Sequence, residues 1–453
     1  MSTKLAVLDS LAAFVDVGSE QMHVSVAGGS PEVFGAMTGQ LHRLRDWLQE
    51  RGVQSVAMEA TGVYWLPLYS ILEAAGFQVL MVNGKHTRNL PGRKTDMQDC
   101  QWGATLHAHG LLRGGFVPPA HIRQLQDYLR LRQDHVSLAA SHVQHMQKAL
   151  ERMNLKLHDV ISNVAGVSGL AVIEAILAGE RDPARLLALC DPQIQKRKAD
   201  RFQEALRGTW AEEHLFALRQ ALESWRHYQQ QIQACDQQLK EVLARLEASL
   251  TPPESSASSA GTGASPPTKK KPGINAPAIE GLEGLIVRLC GGKDLSVLPA
   301  CTSYSLLQLI GEVGLDLSVW PTAKHFTAWL GLAPGSYQSG KRYRGIGRKR
   351  NRAGRLLCVI TRSLSRSKDS ALGGFYRRMA ARRGGLLAIV ATARKLAVLI
   401  WQVMVKGLDY VEAGLKAYET QVLETKHRTL RRLAKQLGVT ILPALSSSES
   451  ANS

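Results

Sequence analysis

The chain has 453 residues, long enough for two or three domains and several buried cores. Its 45% apolar and 21% charged residues describe an ordinary soluble protein, but 56 lysines and arginines against 38 aspartates and glutamates leave a net charge of +18. Between Pro321 and Leu408 stand 19 basic residues and one acid, Asp369, while the rest of the chain balances to zero; a neutral body with one intensely basic region is the footprint of a polyanion binder, nucleic acid before anionic membrane. The six cysteines are far apart and form no C-x-x-C pair, which argues against a disulfide framework and a zinc finger. The N-terminus has no signal-peptide succession. The most apolar run, Leu386 to Val405, carries Arg394 and Lys395 at its centre and reads as a core helix. A reduced, cytoplasmic protein without a membrane partner is the expectation.

In chain order, Ala12–Gly18 and Gln21–Ala27 are β-favouring runs around a Gly-Ser turn and predict a hairpin. A helix around Gln40–Glu50 leads to a strand at Val53–Ala60, a helix at Tyr64–Ala75 closed by Gly76, and a buried strand at Phe77–Val82. Asp96 to Gly110 reads as a helix. A hairpin followed by alternating helices and strands predicts a mixed α/β sheet.

From His121 the period changes. Ile122, Leu129, Val136, Val143, Leu150 and Leu157 recur every seven residues, with Arg132 a polar break at a companion position. Leu218, Trp225, Ile232, Leu239 and Leu246 repeat the pattern. Both runs predict long coiled-coil helices, and pairing between chains predicts a homo-oligomer, dimer or tetramer. Thr251 to Gly273 is rich in Pro, Ser, Gly and Ala and reads as a flexible linker. Beyond it helices are predicted at Ser303–Val313, Ala323–Leu330, Arg352–Arg366, Leu372–Arg383 and Leu386–Lys406, before a disordered tail. The organisation expected is 10–117 α/β catalytic domain, 118–250 helical coiled-coil region, 251–276 linker, 277–420 basic, mainly α-helical domain, and 421–453 basic helix and tail.

Four carboxylates in the first part form a pattern. Asp16 lies on the first strand in FVDVG, Glu59 ends a later strand in VAMEA, and Asp96 and Asp99 share one face of a helix start in KTDMQD. Hard oxygen ligands converging at a sheet edge suit Mg²⁺, with Mn²⁺ as a substitute, and a pair of such ions can assist phosphodiester chemistry. Singly, a helix-start Asp is more often a cap, and Asp9 competes with Asp16 for the first position. Strand Asp, strand-end Glu, then Asp-x-x-Asp resembles the ribonuclease-H-like fold of Holliday-junction resolvases.

The basic region contains WLGLAPGSYQSGKRYRGIGRKRNRAGRLL, Trp329 to Leu357, with eight basic residues and no acid from Lys341 to Arg355. Lys341, Arg342, Arg344, Arg348, Lys349 and Arg350 are the candidate nucleic-acid contacts. Gly335 to Arg342 matches G-x-x-x-x-G-K but ends in Arg where a P-loop needs Ser or Thr. Ser339 reads by itself as a turn serine, and beside the basic run as a phosphate-attacking hydroxyl. The histidines His107, His109, His142 and His145 are assigned no role.

The segments WPTAKHFTAWLGLAPG, Ser339-Gly340 with its basic run, and SALGGFYRRMAARRG resemble the C-terminal domain of the insertion-sequence one-ten family of transposases. MEATGVYW and GRKTDMQDCQW resemble the same family's DEDD catalytic domain. The resemblance implies a DNA recombinase of an insertion sequence with Asp16, Glu59, Asp96 and Asp99 as the metal-binding tetrad and Ser339 as the catalytic serine. It further implies a phosphoserine intermediate, double-stranded DNA substrates (element ends and target), an element-encoded guide RNA, and a bacterial, nucleoid-associated location. Ala333 stands where the family often has Cys, and Gly84 where it often has Pro. Two other readings stay open: a metal-dependent, Holliday-junction-resolvase-like endonuclease without serine chemistry, and a non-enzymatic nucleic-acid-binding coiled-coil protein.

Overall fold

The computed structural model describes residues 6–59, 61–84, 95–250, 273, 275–339, 342–346, 349–367, 370–408, 424 and 427–439. It divides into two compact units, Met1–Ala120 and His121–Ser453.

The first unit holds β1 (Ala13–Val17), β2 (Gln21–Val26), β3 (Glu32–Gly35), α1 (Thr38–Glu50), β4 (Ser55–Glu59), α2 (Trp65–Ala74), β5 (Gln78–Val82) and α3 (Asp96–Ala108). The five strands form one mixed sheet in the order β3-β2-β1-β4-β5. β1 pairs antiparallel with β2 and parallel with β4, and β4 pairs parallel with β5. Side chains alternate along a strand, so β1 serves two cores. Ala13, Val15 and Val17 join Val56, Met58, Leu44 and Leu72 on the face covered by α1 and α2. Phe14 and Ala57 face the other way, against Cys100 and Ala104 of α3. The hairpin and the following elements predicted from sequence are all present; β3 was not foreseen, because its four residues EVFG carry no alternation.

The second unit opens with two long helices, α4 (Ala120–Arg152) and, later, α9 (Glu212–Ala248). They run antiparallel against each other: Tyr128 Oη donates to Gln238 Oε1 at 3.3 Å, Arg132 pairs with Asp236, and His142 stacks on Tyr228. The heptad positions Ile122, Leu129 and Leu150 of α4 and Leu218, Ile232, Leu239 and Leu246 of α9 are buried. The expected pairing between chains is thus replaced, for these faces, by packing within one chain. Polar substitutions at Ile232 or Leu239, both buried within the chain, would weaken this chain's own fold.

Between them lie α5 (Leu157–Val160), α6 (Val167–Leu177), α7 (Pro183–Ala188) and α8 (Pro192–Ala205), around a core that includes Phe202, Ile173 and Leu186. These helices were not anticipated, although Asp182-Pro183 and Asp191-Pro192 are legible starts: each aspartate caps its helix and each proline takes the first turn.

Arg132, the polar break in the first heptad run, is buried. Its Nε donates to Asp236 Oδ1 at 2.5 Å, and its Nη1 donates to the Asn275 carbonyl at 2.8 Å and to Tyr304 Oη at 3.1 Å. Asp236 also accepts from the Ala278 amide at 3.1 Å. This pair ties α4 and α9 to the chain that follows the linker. Removing one member strands the other charge, so Asp236→Ala is expected to lower stability by about 3–5 kcal/mol, read by denaturant unfolding. The joint exchange Arg132→Met with Asp236→Leu should lose much less.

The remaining elements are α10 (Leu282–Leu289), α11 (Ser303–Val313), α12 (Ala323–Trp329), β6 (Gly335–Ser339), β7 (Arg342–Ile346), α13 (Arg352–Leu364), α14 (Ala371–Arg383) and α15 (Gly385–Lys406). α15 packs against α12, α13 and α14, and Trp401 Nε1 donates to the Leu317 and Trp320 carbonyls at 3.1 Å. Trp320, Phe326 and Trp329 form an aromatic cluster. Among the described residues α15 is the one helix long and apolar enough to cross a membrane. It carries Arg394 and Lys395 at mid-length and buries Leu396, Ile400 and Trp401 against its neighbours. The hairpin β6–β7 is an exception to the mainly helical expectation for this region. No cysteine pair is bridged: five are buried and Cys358 is half-buried. Most of the linker and the residues 409–423 lie outside the described residues; 427–437 are helical.

Candidate active site

Asp16 and Phe14 share the face of β1 that meets α3. Val15 pairs with Met58, so Asp16 and Glu59, each one residue further on, lie side by side at the carboxyl ends of two parallel strands. Alternation puts Glu59 on the same face as Ala57, and so on the same side as Asp16. Glu59 is buried, and a Cβ added at Gly84 would lie 1.9 Å from its Oε1. The glycine that stands where Pro is frequent thus leaves the room that this carboxylate occupies.

α3 brings the other two acids. Thr95 caps it, its side chain accepting from the Gln98 amide at 3.4 Å, so the capping role falls to Thr95 rather than Asp96. Asp96 and Asp99 occupy the first turn, where the helix dipole favours negative charge. Two features press this turn onto the sheet. Gly103 lies so close to the Phe14 ring that a Cβ would be 2.5 Å away. The Cys100 thiol donates to the Phe14 carbonyl at 3.3 Å and to the His23 carbonyl at 3.0 Å. Burial pushes that thiol up to about 12, so it stays protonated as a donor.

Asp16, Glu59, Asp96 and Asp99 all line one cavity of about 590 Å³, with Glu20, His23 and Thr61. Asp9 is elsewhere, accepting from the Leu11 amide at 2.9 Å in a local turn, which resolves the competition for the first position. His23 was missed by sequence reasoning, yet it was legible: in the predicted hairpin residue 23 pairs opposite residue 16. His107 contacts Ser55 Oγ at 2.8 Å and His142 stacks on Tyr228; neither lines this cavity.

Burial, then the charges of Glu59 and Asp96, push the Asp16 carboxyl up to about 6, against a partial pull down by His23. A carboxyl held that high by burial and by like charges fits a site that takes a cation, and the donor set is the hard oxygen chemistry of Mg²⁺. Among the described residues no three His, Cys, Asp or Glu side chains stand as a ready-made ligand shell.

The same burial and repulsion set a pH dependence. The carboxyl ionises near 3.8 when unfolded and near 6 when folded. The folded state therefore holds the proton more tightly, and stability falls as pH rises between these values. Because water reaches the partly exposed carboxyl, the loss is about 1–2 kcal/mol. Chelator-treated protein should show a falling melting temperature from about pH 4 to pH 6. Asp16→Asn should flatten that profile, and Mg²⁺ at neutral pH should restore the lost stability.

The second set of candidates lies in the other unit. Ser339 is the last residue of β6 and pairs with Arg342, the first of β7. It therefore stands at the tip of a hairpin. An extended strand over Gly335–Ser339 is not a phosphate-wrapping loop, in keeping with rejection of the P-loop. Arg342 and Arg344 lie on β7, and Lys349 and Arg350 are exposed ahead of α13. Lys341 and Arg348 lie outside the described residues. Asn351 anchors the end of the basic run: its Nδ2 donates to the Trp329 carbonyl at 3.0 Å and its Oδ1 accepts from the Gly354 amide at 2.8 Å.

Residues 15–155 match the family model of the DEDD transposases of the IS110 type, and residues 293–377 match that of the transposase IS116/IS110/IS902 family. The chain belongs to the IS110 family of transposases. None of the curated proteins compared with it matches. The first match contains Asp16, Glu59, Asp96 and Asp99, and the second contains Ser339 and the basic run that follows it. Transposases cut and rejoin DNA, so DNA is a substrate of this transposase, and DEDD domains of this kind use divalent metal ions.

Proposed function

We propose that this transposase recombines insertion-sequence DNA through a carboxylate site, Asp16, Glu59, Asp96 and Asp99, and a serine nucleophile, Ser339. The convergence of the four carboxylates on one cavity carries the reading. The mixed five-stranded sheet with its acids at the strand ends supports a ribonuclease-H-like fold for the first domain. The domain organisation proposed follows the sequence boundaries, with catalytic carboxylates in 10–117 and the serine in 277–420.

In this reading the Ser339 hydroxyl attacks a phosphodiester. Its proton is taken up by a base, the bond from phosphorus to one deoxyribose oxygen breaks, and that oxygen leaves as a hydroxyl. The phosphoserine diester conserves the bond, and attack by a hydroxyl end of another strand reverses the step and joins the DNA. Serine needs activation, and no histidine stands near it in sequence, so the carboxylate site is the proposed source. A bound Mg²⁺ or Mn²⁺ would supply Lewis-acid stabilisation of the phosphate and a lowered pKa for a coordinated oxygen. Asp16 and Glu59 would hold it from the strand ends, and Asp96 and Asp99 from the first turn of α3. Lys341, Arg342, Arg344, Arg348, Lys349 and Arg350 would neutralise backbone phosphates.

The deciding experiment is a cleavage-and-joining assay on labelled element-end DNA, resolved by denaturing electrophoresis. A protein-linked DNA band supports the serine route; nicking without such a band favours the resolvase-like nuclease. A guide RNA, a homo-oligomer and a nucleoid-associated location in the cytoplasm complete the proposal. RNA that co-purifies through DNase treatment and maps to the element's own sequence is the expected result for the guide.

A further inference from the structure

A groove of about 1110 Å³ runs between α12, α14, α15 and the loop that enters β6. Its floor is apolar, made by Leu332, Pro334, Met379, Leu387, Val390 and Val398. Leu387 is 58% exposed. Its rim is cationic, with Lys324, Arg350, Arg383, Arg394 and Lys395, and no acid is among the described residues that line it. Lys395 Nζ lies 4.2 Å from the centre of the Phe375 ring, so its ammonium is held at the mouth.

An apolar floor inside a cationic rim fits a ligand with the opposite arrangement, an apolar face flanked by anions. A DNA duplex does not offer this, because its base faces are stacked inside. An unpaired nucleotide does: the base presents its flat face and the flanking phosphates meet the rim. In the sequence, Gly335 of the groove is followed by the basic run from Lys341 to Arg355, which suits a polymer of repeated phosphates better than a single anionic headgroup. Position agrees. Gly335, at the start of β6, lines the groove, and Ser339 ends the same strand about 13 Å away.

We propose that this groove receives an unpaired nucleobase of a nucleic-acid strand running along β6, the flanking phosphates being held by Arg350, Arg383 and Arg394. This deepens the serine-recombinase reading and rests on it for the identity of the strand, but the binding itself does not depend on chemistry at Ser339.

The test measures binding alone, with full-length protein carrying Ser339→Ala. Probes are fluorescein-labelled single strands of about 12 nucleotides, as DNA and as RNA, each with and without bases, and a duplex of the same length. The base-bearing strand is expected to bind about tenfold tighter than the abasic one. Ala391→Trp, which fills the groove without altering charge, should erase that tenfold difference and leave duplex affinity within about twofold. Leu387→Ser, at an already exposed position, should reduce the difference without a folding defect, and circular dichroism checks both variants. The DNA and RNA arms identify which strand is preferred. Equal binding of abasic and base-bearing strands, or a difference that survives both variants, would overturn the proposal, as would displacement of the strand by anionic vesicles but not by unlabelled oligonucleotide. If the base preference holds while the cleavage assay gives no serine adduct, the groove stands and the nucleophile is reassigned.

Discussion

Ser339→Ala is expected to remove the covalent protein–DNA species and to lower strand joining by on the order of 10⁴-fold or more, because no neighbouring group replaces a missing nucleophile. Binding of DNA should stay within about twofold, since one hydroxyl contributes little beside the eight basic residues from Lys341 to Arg355. The measurement is denaturing electrophoresis of a quenched reaction on labelled DNA, with peptide mapping of the adduct. Ser339→Cys offers a sharper check, because a thiolate can attack but leaves a bond of different lability. An adduct mapped to another residue would reassign the nucleophile, and efficient strand exchange by the alanine variant would favour the carboxylate-only nuclease.

The second large effect belongs to the carboxylates. Asp16→Asn, Glu59→Gln and Asp99→Asn should each lower cleavage by on the order of 10³-fold, and excess chelator should do the same to the unaltered protein, with recovery on adding Mg²⁺ or Mn²⁺. Stability should move the other way for Asp16. Its carboxyl is held up near 6 by burial and by like charges, so replacing it relieves repulsion. Asp16→Asn is therefore expected to melt at a higher temperature than the parent in chelator while being inactive. A merely structural acid would give the opposite: loss of both stability and activity. Full cleavage in chelator would remove the metal requirement.

Much of this was legible before any coordinates. Strand alternation in AFVDV and SVAME, the glycine after the Tyr64–Ala75 helix and the period of seven in the long helices are local signals, set by backbone geometry and burial. The candidate acids were legible because chemistry restricts which residues serve a hard cation. The helices at 157–205 were not, since each is short and takes its stability from a shared core rather than from its own period. Arg132 read as a flaw in a heptad, and only packing reveals Asp236, Asn275 and Tyr304 arranged about it.

The sequence by itself determined the types of the longer, periodic elements, the location of the positive charge and the residue types of the candidate site, because these follow from side-chain chemistry and local spacing. The tertiary structure alone decided which of the two early aspartates enters the cavity, and that the long helices pair within one chain. Those outcomes depend on strand register, on the close approach of α3 over Phe14 at Gly103, and on which apolar faces meet. Contacts between residues far apart in the chain have no local period to announce them.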